Sequence, residues 1–251
     1  TKCDDFQKIN KETTEDYPQI NSSILQIEDE YYAVSRPKSS SVSNRRLITK
    51  LKDTGVDYIE LRSLDVNPFQ RIGIDLDTIH FLEVFLIYCT LTNSPVIENS
   101  EGEEIKKNDL LVATRGREPR LNLSSNGTKI SLKNWANKIL DEMVLIASLM
   151  DNQTTDYSSI IKNFSNKIID PEQTLSAMLL NKIIAEKMDF QELGRTIGND
   201  HKNYYINLDA SKNSDWSLLK KESADSKQRQ VKIEQISDKS FEDFVKEYSS
   251  E

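Results

Sequence analysis

The sequence predicts an α+β fold, in which a part with β-strands precedes a helical remainder. Period-two patterns with aromatic and β-branched residues occur before residue 66, and i, i+3, i+4 apolar patterns dominate after residue 75. Only 7 glycines and 6 prolines occur in 251 residues, which favours long helices with few sharp turns. We therefore divide the chain into residues 1–74, which contain the strands, and residues 75–251, a helical region packed on them.

The first part contains two predicted strands. Residues 1–18 are polar and predict a helix end or a loop. The segment NSSILQIEDEYYAVSR, residues 21–36, has β-propensity and predicts one strand or two short ones, ending at Pro37. A second strand is predicted over Val56–Asp65. Because alternate residues of a strand share a face, one face of this strand presents Tyr58, Glu60, Arg62 and Leu64.

Between these strands, the serine-rich residues 39–44 predict a loop, and residues 45–54 predict a short helix that Gly55 ends. After the second strand, capping residues and apolar periodicity predict a series of helices. The first runs from Asp75 or Asp77 to about Thr92, and it is predicted to be buried and central because it is apolar on nearly all sides. The next helices are predicted over Lys106–Arg117, from a Ser131 cap to Met150, from Tyr157 through Phe164, from Asp170-Pro171 to about Met188, and from an Asp189–Glu192 capping box. The stretch from Ser214 to the end is predicted as one helix or two, with Ser240 capping the second.

Charge, hydropathy and cysteine content argue against several classes of protein. The formal net charge of -8 disfavours a nucleic-acid-binding protein, because the chain repels a phosphate backbone. The sequence has no signal peptide and no apolar run long enough to span a bilayer, and its two cysteines, Cys3 and Cys89, do not suggest a disulfide framework. These features predict a cytoplasmic protein without a membrane partner. The chain opens at Thr1 without a methionine, which is typical of the middle of a longer protein.

Glu60 and Arg62 are the first candidates for a functional site. Side chains two residues apart on a strand lie on one face, roughly 7 Å apart at the Cα atoms. A carboxylate suits Mg²⁺, a hard cation that takes oxygen ligands, and a guanidinium suits a phosphate. When the two residues are considered alone, however, an ion pair on a solvated sheet face is the favoured interpretation.

The surrounding sequence favours a functional site over a simple ion pair at Glu60 and Arg62. ILQIEDEYYAVSRPK, followed by VDYIELRSLDVNPFQRIGID, strongly resembles a pair of segments in the glutamate–cysteine ligases of the proteobacterial type, also called γ-glutamylcysteine synthetases. The segments FLEVFLIYCTL, TRGREP and LSAMLL follow in the order that this family shows. The resemblance covers most of the chain, and these ligases are about twice as long. It therefore implies that the chain corresponds to their C-terminal half.

The resemblance implies a fold and an activity. The fold would be part of a glutamine-synthetase-like, curved and mostly antiparallel catalytic sheet, followed by a helical bundle. The activity would be that of an ATP-dependent ligase: ATP phosphorylates the γ-carboxylate of L-glutamate, and the amine of L-cysteine attacks the γ-glutamyl phosphate. This is the first step of glutathione biosynthesis. The implied partners are ATP, L-glutamate and L-cysteine, with Mg²⁺, or alternatively Mn²⁺, as the metal, and we expect a monomer.

Motif positions imply roles for individual residues. Glu60 would be a metal ligand, Arg62 would contact the transferred phosphoryl group and act as the catalytic residue, and Tyr32 would line the cysteine pocket. Arg36 and Asn67 are further candidate substrate-binding residues. Arg36 is alternatively a surface cation, and Asn67 is alternatively a turn-forming residue.

Two alternative functions remain at this point. One is a non-catalytic half that needs a partner half, and the other is a related ATP-dependent ligase that joins glutamate to another amine. Arg115, Arg117 and Arg120 form a basic cluster that either guides anions or lies in a solvated loop, and the loop is favoured. His80 is interpreted as a structural histidine, because no second His or Cys has the spacing of a metal site.

Overall fold

The structure is a computed structural model that describes residues 20–21, 23–41, 45–236 and 240–250. The predictions for residues 1–18 and for Val42 to Asn44 fall outside these ranges. The chain forms two compact units: the first comprises Thr1–Asp65 with Asp209–Glu251, and the second comprises Val66–Leu208. The division at residue 74 stays a prediction.

The described residues form four short strands and nine α-helices. The strands are β1 (Ser35–Lys38), β2 (Tyr58–Leu61), β3 (Asn122–Ser125) and β4 (Thr128–Ser131). The helices are α1 (Leu47–Thr54), α2 (Leu76–Leu91), α3 (Asn99–Arg115), α4 (Leu132–Met150), α5 (Tyr157–Ile169), α6 (Leu175–Glu186), α7 (Phe190–Ile206), α8 (Trp216–Ile236) and α9 (Phe241–Ser250). Two antiparallel pairs, β1–β2 and β3–β4, and the predominance of helix confirm the α+β class.

The strand predicted over residues 21–36 is wrong for most of its length. The backbone N–H of Asn21 donates to Gln26 Oε1 at 2.9 Å, and Asn21 Nδ2 donates to the carbonyl of Gln26 at 2.8 Å. These bonds close a local turn, which competes with an extended conformation. A short 3₁₀ helix follows at Glu28–Glu30, and the strand starts only at Ser35. Pro37, predicted to end the strand, lies inside β1 opposite Ile59.

The β3–β4 hairpin is absent from the sequence predictions. Its turn consists of Asn126 and Gly127, which have φ angles of 51° and 74°. Asn-Gly is the dipeptide most favoured in two-residue hairpins, because both central residues need a positive φ. The signal was therefore present in SSNGTK, residues 124–129. The hairpin is anchored by Glu104, whose Oε1 accepts hydrogen bonds from Ser124 Oγ at 2.7 Å and from Gly127 N at 2.8 Å.

Most predicted helix boundaries agree with the structure, although α3, predicted over Lys106–Arg117, spans Asn99–Arg115. Asp75, Ser131 and Asp189 cap α2, α4 and α7, and each accepts a hydrogen bond from the backbone N–H three residues later. Asp170-Pro171 starts a separate 3₁₀ helix rather than the predicted long helix, and Thr174 then caps α6. None of the helices in the described part of the chain has the length and apolar character that crossing a membrane requires.

The core of the second unit is formed where α4 and α5 pack on α2. Its buried residues are Val84, Leu140, Met143, Ala147 and Ile161. The prediction that α2 is buried all round is wrong for the described chain, because Val84 is its only fully buried residue and Leu91 is 72% exposed. Partners pack on one side of α2, whereas its apolar sequence extends around the helix.

Candidate active site

The candidate site lies on one face of the β1–β2 ribbon. The antiparallel register places Arg36 opposite Glu60 and Lys38 opposite Tyr58. Residues that lie opposite each other share a face, so this face carries Arg36 and Lys38 from one strand and Glu60 from the other. The pairing continues beyond β2, since the Arg62 N–H donates to the Val34 carbonyl at 2.8 Å. The face therefore presents a single carboxylate among several cations.

Glu60 binds two of these cations through one oxygen. Its Oε2 accepts a hydrogen bond from Arg62 Nη2 at 3.0 Å and lies 3.3 Å from Lys38 Nζ. The hydrogen bond from Arg62, and to a smaller extent that from Lys38, holds the pKa of the Glu60 carboxyl below its ordinary value, although partial desolvation opposes this. The carboxylate is thus ionised at neutral pH, and the side chain remains 38% exposed.

Tyr32 joins this cluster through Arg62. The Tyr32 hydroxyl donates to the Arg62 carbonyl at 3.2 Å, and the Arg62 guanidinium carbon lies 5.4 Å from the centre of the Tyr32 ring. The arrangement is a cation–π contact at an exposed site. Tyr32 is 70% exposed, so its ring keeps a large surface for a further contact. The structure therefore brings Tyr32, Glu60 and Arg62 together, as the motif positions imply.

The contact between Lys38 and Glu60 is absent from the sequence predictions. Lys38 and Arg36 are two residues apart on β1, so the period of two already indicated that they share a face. What the sequence did not contain is the register that pairs residues 35–38 with residues 58–61. Without that register, the residues of the second strand that lie opposite Arg36 and Lys38 could not be identified.

Arg36 and Asn67 occupy more enclosed positions. Arg36 is 8% exposed, and its Nη2 lies 3.5 Å from the carbonyl of Glu28. Asn67 is 7% exposed and belongs to the second unit. Its Nδ2 donates to Asp75 Oδ2 at 3.1 Å and its Oδ1 accepts from the Phe69 N–H at 3.0 Å. These bonds form a turn before α2, as expected for an Asn-Pro sequence.

No cluster of three or more His, Cys, Asp or Glu side chains suited to a metal ion occurs among the residues that the structure describes. His80 lies 2.9 Å from Glu83 through Nδ1, and Tyr157 donates to the same carboxylate oxygen at 2.8 Å. This agrees with the structural role predicted for His80. At the candidate site, Glu60 is the one carboxylate on the described face.

Comparison with known proteins identifies relatives of this chain. Residues 1–112 match the family model described as glutamate-cysteine ligase. A glutamate–cysteine ligase of Shewanella oneidensis is 32% identical over 246 residues, which are 97% of this chain and 46% of that protein. One from Alcanivorax borkumensis is 34% identical over 237 residues, 92% of this chain and 44% of that protein. The chain thus spans about half the length of the curated relatives that it matches.

A solved structure gives the same result. The crystal structure of a glutamate–cysteine ligase from Francisella tularensis in complex with AMP has a TM-score of 0.85 with this chain and 26% sequence identity. The match covers 98% of this chain and 49% of that one. The resemblance to glutamate–cysteine ligases that the two motifs predict is therefore confirmed: the chain is related to these proteins over nearly all of its own length and about half of theirs.

Proposed function

We propose that this chain supplies part of the active site of an ATP-dependent ligase, which joins the γ-carboxylate of L-glutamate to the amine of L-cysteine. The observation that carries the proposal is the Tyr32–Arg62–Glu60–Lys38 cluster, built from the two segments whose sequences resemble the ligase family. The names of the relatives and the AMP complex of the Francisella protein support the same activity and a nucleotide as co-substrate.

The charges on the β1–β2 face suit phosphoryl transfer. Such a reaction depends on positioning and on neutralising charge at the phosphoryl oxygens more than on covalent help from the protein. Arg62 is proposed to contact the transferred phosphoryl group, because a guanidinium can donate two parallel hydrogen bonds to phosphate. Lys38, whose Nζ lies 3.3 Å from the Glu60 carboxylate, is proposed as a second cation for the phosphoryl group. Arg36 is proposed to bind substrate beside them.

The fit to Mg²⁺ rests on Glu60. Its ionised, partly exposed carboxylate is a hard oxygen ligand of the kind that this ion prefers. Proteins commonly hold Mg²⁺ through one or two carboxylates together with substrate phosphates, so an all-protein cage is not needed. When bound, the ion would supply charge neutralisation at phosphate oxygens. Mn²⁺ prefers similar oxygen ligands and is the alternative.

Tyr32 is proposed to form part of the acceptor pocket. Its exposed ring offers an apolar wall, and its hydroxyl, now donating to the Arg62 carbonyl, can instead donate to the carboxylate of a bound cysteine. Asn67 has both ends of its carboxamide engaged in the turn before α2, and its proposed contact with substrate requires that one of these bonds be exchanged.

The test uses this chain together with the complementary segment of the Shewanella oneidensis relative, the part that lies outside the alignment. ADP release is measured with Mg²⁺, ATP and glutamate, with and without cysteine, and then with other amines in place of cysteine. We expect release that depends on cysteine. ADP release that does not depend on the amine contradicts the proposal, and so does the absence of ADP release with every combination of substrates. A preference for another amine over cysteine identifies the related ligase instead.

Matched variants test the residues. Glu60→Gln and Arg62→Gln are each expected to lower turnover by about 100-fold or more, the size of effect seen when one transition-state contact is lost. Glu103→Gln is the control, because Glu103 is also a glutamate paired with a cation, Lys106 at 2.8 Å, but lies on α3. Equal activity of the Glu60→Gln and Glu103→Gln variants would remove Glu60 from the mechanism.

A further inference from the structure

A cavity of about 1000 Å³ lies wholly within the second unit. Its walls come from the end of α3, the segment after it, the start of α4, the end of α5 and the start of α6. The volume is at the upper end of the range for sites that bind small molecules. The cavity is therefore large enough for a ligand of nucleotide size.

The lining of this cavity is strongly basic. It contains five basic side chains, Arg115, Arg117, Arg120, Lys133 and Lys167, and one acidic side chain, that of Glu118. The chain as a whole has a formal net charge of -8, so the cavity is a positive region in an acidic protein. A concave site lined by charges of one sign concentrates ligands of the opposite sign.

The cations differ in how far they are already neutralised. Arg115 forms a two-point pair with Glu118, at 2.6 and 2.7 Å. Arg117 Nη1 lies 3.7 Å from Glu172, which is beyond hydrogen-bond distance. Within the described part of the chain, the side chains of Arg120 and Lys133 have no hydrogen-bond or ion-pair partner. At least two cations are thus available to an incoming anion.

Two helix N-termini contribute to the same cavity. Ser131 caps α4 and Thr174 caps α6, both residues line the cavity, and neither helix has an acidic residue in its first turn. The first turn of α4 instead carries Lys133, a cation where the helix dipole favours negative charge. An anion bound here would interact favourably with both the dipole and the lysine.

Apolar residues complete the walls, including Val112, Leu121, Ala136 and Ile168. From this combination we propose that the cavity binds a phosphate-bearing small molecule with an apolar or aromatic body, whose phosphate contacts Arg120, Lys133 and Arg117. Phosphate suits the site better than a single carboxylate, because it carries more charge and more acceptor oxygens to match several cations. None of the residues proposed for the ligase reaction, Tyr32, Arg36, Glu60, Arg62 and Asn67, lines this cavity.

The test is calorimetric titration of this chain with AMP, ATP and pyrophosphate, in the absence of divalent metal. We expect saturable binding of one ligand per chain. A variant with both Arg120→Gln and Lys133→Gln should bind at least about tenfold more weakly, because hydrogen bonds between ions are among the strongest in proteins. The control combines Lys162→Gln and Lys202→Gln, which remove the same charge from exposed positions outside the cavity lining.

Each outcome decides the proposal. Weaker binding in the cavity variant alone supports it. The absence of saturable binding for all three ligands overturns it, and so does equal weakening in both double variants, which would indicate a general charge effect. Binding that is lost on Arg62→Gln but kept in the cavity variant places the ligand at the β1–β2 face and also overturns it. Failure of the ligase assay leaves this result unaffected, since the titration measures binding alone.

Discussion

Arg62, the residue directly after β2, donates a hydrogen bond from Nη2 to Oε2 of Glu60 at 3.0 Å, and Lys38 of β1 reaches the same oxygen at 3.3 Å. The β1–β2 face therefore carries more positive than negative charge. A purely structural ion pair needs one cation for each carboxylate. The additional cation is the feature that makes this face suitable for binding an anion such as phosphate.

The first prediction concerns the ionisation of Glu60. Arg62→Met should raise the pKa of the Glu60 carboxyl towards its ordinary value, and Lys38→Met should raise it less, because the Arg62 hydrogen bond is the larger cause of the lowering. Carbon-13 NMR titration of the carboxyl group measures both. Lys106→Met is the control and should raise the pKa of Glu103 instead, leaving that of Glu60 unchanged. The opposite order of the two effects would contradict the geometry.

The second prediction concerns Asp75, which caps α2 through the Thr78 N–H at 2.7 Å and accepts from the buried Asn67. Asp75→Ala should lower the free energy of unfolding at neutral pH by about 2 kcal/mol or more, from the lost cap and an unsatisfied buried donor. Asp77→Ala, in the first turn of the same helix, should cost less than about 1 kcal/mol. Urea unfolding compares the two variants, and equal losses would rule out the cap.

The third prediction concerns the pH dependence of the stability that the Asp75 carboxyl contributes. Burial opposes ionisation of Asp75, but the hydrogen bonds from Thr78 and Asn67 outweigh it, so its pKa in the folded protein is lowered. A lowered pKa stabilises the fold above the pKa of the unfolded chain, and this contribution is lost as the pH falls through the folded value. The stability difference between the wild type and Asp75→Ala should therefore be full at pH 7 and shrink below about pH 4. A constant difference would contradict the assignment.

The fourth prediction compares two glycines. Gly127 has a φ of 74° with nothing within 4 Å of an added Cβ, so Gly127→Ala should cost roughly 1 kcal/mol from backbone strain alone. Gly102 lies within α3 with the same open space and no positive φ. Gly102→Ala should increase stability by roughly 0.5–1 kcal/mol. Thermal unfolding measures whether each variant is more or less stable than the wild type. Destabilisation by both variants would exclude backbone conformation as the cause.

The fifth prediction concerns the core of the second unit. Met143 on α4 is fully buried, and Met143→Ala should lower the free energy of unfolding by about 2–5 kcal/mol. Leu149, on the same helix, is 88% exposed, and Leu149→Ala should change it by less than about 0.5 kcal/mol. The two variants are compared by urea unfolding. A large loss for Leu149→Ala would show that this exposed residue has a packing partner in solution.

The sequence predicts the helices of this protein better than its strands. Caps such as Ser131 and Asp189 act within one turn of the chain, so their signal is local, and both predictions agree with the structure. The apolar pattern over residues 21–36 indicates a strand, but side-chain bonds between Asn21 and Gln26 bend the backbone there. The Asn126-Gly127 turn is a local signal of a different kind, because it depends on the dipeptide and not on apolar periodicity.

The candidate site was predictable only in part, for a related reason. Glu60 and Arg62 both fall in the predicted strand Val56–Asp65, so their spacing of two residues predicts a common face. The contact of Lys38 with Glu60 depends on how two segments about 20 residues apart are aligned, and no spacing within either segment specifies that register. The charge balance of the face, which distinguishes an anion-binding surface from a simple ion pair, therefore emerges only in three dimensions.

Pro37 determines the side on which the β1–β2 ribbon can best be extended. Its position in the register, between Arg36 and Lys38, turns its nitrogen away from β2, towards the outer edge of β1. Proline has no N–H group, so a third strand added beside β1 would lack one hydrogen bond at this point. The outer edge of β2 has no proline in Tyr58–Leu61 and offers a full set of donors and acceptors. Growth of the sheet is thus favoured from the strand that carries Glu60.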